Sequence, residues 1–185
     1  LLLDLSSTRL DRDAVARVAL VVEGGTGSAE YGRATLAADW LQPVGPGAAF
    51  LRLEGGAGTT HLPPYRSFAI GGWGTLVGEP FRAFGGRRYA LAQLEYRVDA
   101  PFPALPLGAF VSTGNRVTVA PFLAAGWAGA GMTGLPWRPS GEVRPVAGLA
   151  LEWLHRLIRI EAGASLRTGH LGVTVDVSRE WWDVL

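Results

Sequence analysis

Residues 157–167 read Leu-Ile-Arg-Ile-Glu-Ala-Gly-Ala-Ser-Leu-Arg, and they decide the fold class. Ile158, Ile160, Ala162, Ala164 and Leu166 share one parity; Arg159, Glu161, Ser165 and Arg167 share the other. Successive side chains leave a pleated strand on opposite sides, so a period of two marks a strand with one apolar and one polar face. The alternation recurs. In 14–24, Ala16, Val18, Leu20 and Val22 oppose Arg17 and Glu23; in 31–41, Leu36, Ala38 and Trp40 oppose Arg33 and Asp39. In 48–56, Leu51 and Leu53 oppose Arg52 and Glu54; in 89–98, Ala92 and Leu94 oppose Gln93, Glu95 and Arg97. In 143–154, Leu149, Leu151 and Trp153 oppose Arg144 and Glu152; in 171–181, Val173, Val175 and Trp181 oppose Thr174, Asp176 and Glu180. With 117–128 and a partial strand at 2–8, about nine strands are expected in one domain over 1–185.

Composition narrows the function. The 26 glycines and 12 prolines punctuate too often for a helical bundle. Val117–Trp137 is free of charge and long enough for a membrane helix, but Pro121, Pro136 and four glycines argue for a strand followed by a loop. All 17 basic residues are arginine, which excludes P-loop, Schiff-base and pyridoxal chemistry, each needing a lysine amine. The absence of cysteine excludes thiol nucleophiles, disulfides and zinc–thiolate sites. A net charge of +1 leaves no electrostatic footprint for nucleic acid. His61, His155 and His170 stand in loops and turns, away from metal-ligand spacing. Glu152 and Glu161 read as part of a charge-balanced wall. The expectation is no catalytic site, no metal and no cofactor: not an enzyme.

Alternation alone does not say which face meets water. In a soluble sandwich the apolar parity points inward. In an outer-membrane barrel it meets lipid, and the charged parity, here Glu95, Arg97, Glu152 and Asp176, lines the lumen. Three features favour the barrel. The segments run to the length of a tilted, bilayer-crossing strand. Arginines and acids share the polar parity. If strands alternate in direction, Trp40, Trp153 and Trp181 fall at one rim and Trp127 at the other, all outward, as an aromatic girdle requires. Turns at Arg9–Asp13, Gln42–Pro46 and His155–Arg156 are short on one side, whereas Thr59–Gly86 and Gly129–Glu142 are long on the other. The Asp99–Arg116 link, with Pro101, Pro103 and Pro106, is long for the short-turn side.

The 59–86 loop is distinctive. Its Phe68, Gly71, Gly72, Gly78, Phe84 and Gly86, followed by Glu95-Tyr96-Arg97 at a strand end, resemble the C-terminal barrel of the BamA/TamA superfamily of outer-membrane assembly factors, the bacterial surface antigen family. The resemblance implies an antiparallel transmembrane β-barrel of sixteen strands, of which this chain is the C-terminal half. The missing partners would be an N-terminal barrel half and periplasmic domains. It also implies location in the bacterial outer membrane, contact with its lipid, and a role in inserting or translocating client outer-membrane proteins. The loop would fold into the lumen. Val77 stands where the family has its loop arginine, so Arg82 is expected to reach Glu95, Glu152 or Asp176 instead. Two other readings stand beside this one: a barrel anchoring a longer enzyme such as a patatin-like lipase, and a pore or transporter of a secreted partner.

Overall fold

In the computed structural model, the residues described are 2–11, 14–26, 30–106, 112–132, 134 and 136–177. They form a nine-stranded antiparallel sheet and a two-stranded hairpin lying over it. The strands are β1 (Leu2–Asp11), β2 (Ala14–Gly25), β3 (Tyr31–Val44), β4 (Gly47–Gly58), β5 (Phe68–Ile70), β6 (Phe84–Gly86), β7 (Arg88–Pro101), β8 (Arg116–Gly129), β9 (Arg144–Trp153), β10 (Ile158–Ser165) and β11 (Leu171–Val177). The sheet runs β1-β2-β3-β4-β7-β8-β9-β10-β11, so every strand pairs with its neighbours in sequence once the β5–β6 hairpin is set aside. β1 and β11 are its two edges, and the sheet does not close on itself. Each expected strand is present, within a few residues of the bounds set by alternation. Residues 12 and 13 of the expected first turn, and Trp181 with the end of the last expected strand, lie outside the described residues.

The faces sort in an unusual direction. Leu36, Trp40, Leu53, Leu94, Leu123, Leu149, Ile160, Val173 and Val175 are exposed, whereas Gln93, Glu95, Glu152, Arg159 and Glu161 are buried. The polar parity is covered and the apolar parity is bare, the reverse of a sheet packed for water.

Register shows which face is concave. Glu95 on β7 pairs with Phe122, Phe122 with Gly148, and Gly148 with Gly163 on β10. On a flat sheet Glu95 and Arg159 would stand three strand spacings across and four residues along, about 19 Å apart. Arg159 nevertheless donates to Glu95 at 2.7 Å. An arginine and a glutamate do not bridge that flat-sheet distance, so the sheet curls with its charged face inward and its apolar face convex.

The 59–86 connection crosses this concavity. Phe68–Ile70 and Phe84–Gly86 pair as a small hairpin whose three-residue strands are too short to show a period in the sequence. Ile70, Leu76, Val77 and Phe84 form the buried cluster with Leu91, Phe122, Ala124, Val146 and Ala150 of β7, β8 and β9. The inner face is therefore divided: apolar beneath the loop, charged toward the short-turn end.

Candidate functional site

The charged half centres on Arg159, 2% exposed. Its Nε donates to Glu161 at 2.6 Å, one terminal nitrogen to Glu152 at 2.6 Å and the other to Glu95 at 2.7 Å. A planar guanidinium offers donors in three directions, and here each direction meets an acid from a different strand, β10, β9 and β7. Arg97 adds a second cation at 3.1 Å from Glu95, and Gln93 donates to Glu95 at 2.5 Å. Arg97 also lies over the Phe50 ring, 4.3 Å from its centroid. A smaller pair on the same face joins Arg52 and Asp39 at 2.8 Å. Nearer the short-turn end, Asp99 accepts from Thr118 at 2.6 Å and pairs with Arg156 at 3.3 Å.

Of the expected wall residues, Glu95, Arg97 and Glu152 lie in this cluster. Asp176 stands directly across from Arg159 in the β10–β11 register and accepts from the Val177 amide. The cation that meets Glu95 and Glu152 is not Arg82. Arg82 is exposed, sits at φ +50° and holds its guanidinium over the neighbouring Phe81 ring. The wall supplies its own cation from β10. Parity had placed Arg159 and Glu161 on the polar face, but parity carries no information about which strands curl together.

The loop residues singled out in the sequence act as a unit. Phe68 is buried, stacks on Tyr89 at 4.6 Å and carries the Arg33 guanidinium on its other side. Gly71 and Gly72, at φ +119° and +72°, turn the chain where a side chain would be strained; the Gly71 amide donates to Thr75 Oγ1 and the Gly72 amide to the Leu76 carbonyl. Phe84 is buried beneath Arg144, and Gly86 ends the small hairpin. Gly78 rests against the backbone of Ala164 and Ser165, and the Val77 carbonyl lies against Gly172; neither position has room for a Cβ.

Three further residues dock the loop, and none was singled out as doing so. Glu79, 4% exposed, accepts from Ser165 Oγ at 2.8 Å. His170 Nδ1 lies 3.1 Å from the Gly78 carbonyl, and since a carbonyl only accepts, that nitrogen carries the proton. The loop thus spans the concavity from the β4–β7 side to the β10–β11 hairpin. Ser165, a hydroxyl on the inward parity between Gly163 and Arg167, was the available sequence signal for this seat.

The rims carry three of the seven tryptophans. Trp40 and Trp153 lie at the short-turn ends of β3 and β9, and Trp127 near the long-loop end of β8, all on the parity of the exposed leucines. Among the described residues, no group of three His, Asp or Glu side chains is arranged to hold a metal ion, and no helix is long and apolar enough to cross a membrane. The arrangement offers a braced, charge-lined concavity and an apolar exterior. The chain matches no known protein-family model and no curated protein.

Proposed function

We propose that this chain is a section of a transmembrane β-barrel of the bacterial outer membrane, of the BamA/TamA type, which assists insertion or translocation of other outer-membrane proteins. The observation that carries the reading is the inverted sheet. Its convex face exposes leucines, valines and Trp40, while its concave face buries Arg159 among three acids. Water penalises both features, whereas a bilayer around a polar interior rewards the first. Strand length agrees. The 14 residues of β3, β7 and β8 rise about 36 Å at a tilt of about 40°, enough for the hydrocarbon core.

Strand parity supports a larger barrel. In a sheet of nine antiparallel strands, β1 and β11 run in the same direction. Closing it with antiparallel pairs throughout takes an odd number of further strands. Seven would give sixteen, the number implied by the resemblance. The inward-folded loop with its Phe68, Gly71, Gly72, Gly78, Phe84 and Gly86 supports the assembly-factor type over an open pore, because the loop occupies part of the concavity that a pore needs empty.

The test is reconstitution of the full-length protein into phospholipid vesicles, followed by urea-unfolded outer-membrane client. Accelerated client folding, measured as heat-resistant migration, is the expected result. High single-channel conductance without acceleration would replace the assembly role with a pore, and neither activity would leave an anchor. Failure to enter vesicles while remaining monomeric without detergent would refute the membrane reading.

A further inference from the structure

The link between β7 and β8 lies on the side where the other connections are tight turns. From Ala100 to Asn115 it holds no charged residue, and it contains Pro101, Phe102, Pro103, Leu105 and Pro106. An exposed polar loop would be the ordinary solution for a connection in water. Here Leu105 is 45% exposed, and Phe102 packs edge-on against Trp153 with ring centroids 5.9 Å apart. Trp153 stands on the outward parity, two residues beyond exposed Leu151, at the end of β9.

Within residues 101–106 the backbone offers few free donors. Pro101, Pro103 and Pro106 have no N–H. The Phe102 amide donates to the Asn115 carbonyl at 2.9 Å, and the Leu105 amide to Thr113 Oγ1 at 2.9 Å. Three prolines and two bonded amides make five of the six residues 101–106 without a free donor. The Thr113 amide returns a bond to the Leu105 carbonyl, Thr113 is fully buried, and Pro106 bridges Ser112. Irregular backbone enters a water-poor layer only when its polar groups are satisfied within the chain. Apolar and uncharged, with five of its six residues lacking a free donor, the 101–106 segment is suited to such a layer.

We propose that Phe102, Leu105 and Trp153 form an interfacial anchor, seated in the headgroup region of the leaflet at the short-turn rim. The proposal rests on the membrane-barrel reading and adds the seat of the β7–β8 connection, about 5–10 Å into the headgroup–acyl boundary. Aromatic rings with apolar bodies are favoured at that depth, and Phe102 lies against the outward face that would continue into the acyl layer.

This chain has no cysteine, and any in the rest of the full-length protein are first replaced by serine, so labelling is site-specific. Leu105→Cys and, as a mid-strand control on the convex face, Leu53→Cys are each labelled with an environment-sensitive fluorophore. The full-length protein then goes into phosphatidylcholine vesicles carrying a doxyl quencher near the headgroup or near the chain end. The Leu105 label is expected to be quenched several-fold more by the shallow doxyl than by aqueous iodide. The Leu53 label is expected to respond most to the deep one. A Leu53 label in lipid with a Leu105 label open to iodide overturns the anchor and leaves the barrel intact. A Leu53 label that stays aqueous overturns the membrane reading, and the anchor with it.

Discussion

Arg159 is the perturbation on which the charge cluster can be weighed. Replacing it with Met keeps the stem and removes the guanidinium, so the carboxylates of Glu95, Glu152 and Glu161 lose their shared donor. All four residues are at most 5% exposed, so water cannot substitute without opening the fold. Removing one partner from a buried ion pair costs about 3–5 kcal/mol, mostly as the penalty of stranded charge. With a urea dependence of about 2 kcal/mol per molar, that is a midpoint drop of about 1.5–2.5 M. Arg159→Lys retains the charge and loses the fork that reaches three acids at once, so its midpoint should fall between Met and wild type. Glu161→Gln should cost less than either. It weakens one charge-assisted bond of about 1.5–3 kcal/mol, but it also relieves repulsion in a cluster holding three acids against Arg159 and Arg97. The readout is unfolding in vesicles followed by heat-resistant migration and tryptophan fluorescence. If Arg159→Met costs less than about 1 kcal/mol, or no more than Glu161→Gln, Arg159 is not the hub and the inward curl needs another cause.

Gly172→Ala places a methyl group against the Val77 carbonyl, so an overpacking cost of about 1–3 kcal/mol is expected, with faster proteolysis within 59–86 while the strands stay protected. Glu79→Ala removes the acceptor of the buried Ser165 hydroxyl; hydrogen exchange should rise in the loop and the β10–β11 hairpin, with a loss of about 1–2 kcal/mol. Leu94→Arg tests the exterior. On a water-exposed face the change would stay within about 0.5 kcal/mol, but at mid-bilayer depth it should cost about 2–4 kcal/mol in vesicles.

What could be read in the sequence was whatever depends on neighbours two residues apart. Val173, Val175, Asp176 and their counterparts declare their faces one strand at a time, and antiparallel order followed from the short turns. The Glu95–Arg159 bond joins residues 64 apart through two intervening strands, and it exists only because the sheet curls. Nothing in a local pattern encodes curvature, which is why Arg82 rather than Arg159 drew attention as the loop-side cation. The β5–β6 hairpin escaped for a different reason. Its strands owe their pairing to Phe68 and Phe84 burying against the wall, a tertiary effect that overrides weak local propensity.

A one-residue slip of every strand would turn the leucines inward and the charges out, so the observed facing has to be held against an alternative of identical pattern. In water the observed choice is doubly unfavourable. The convex leucines and valines forgo burial at about 1.5–3 kcal/mol each, and the quartet around Arg159 bears a desolvation penalty its Coulomb attraction barely offsets. Hydrocarbon outside the sheet reverses the first effect for every exposed apolar side chain together. The second stays small, because one fork-shaped cation reaches three carboxylates at once. The loop's contact at Gly172 then acts against the slip. Moving β11 by one residue would bring a side chain to the place of Gly172, where the Val77 carbonyl leaves no room for a Cβ. On the proposed membrane reading, lipid on one face and the strap on the other select the same register.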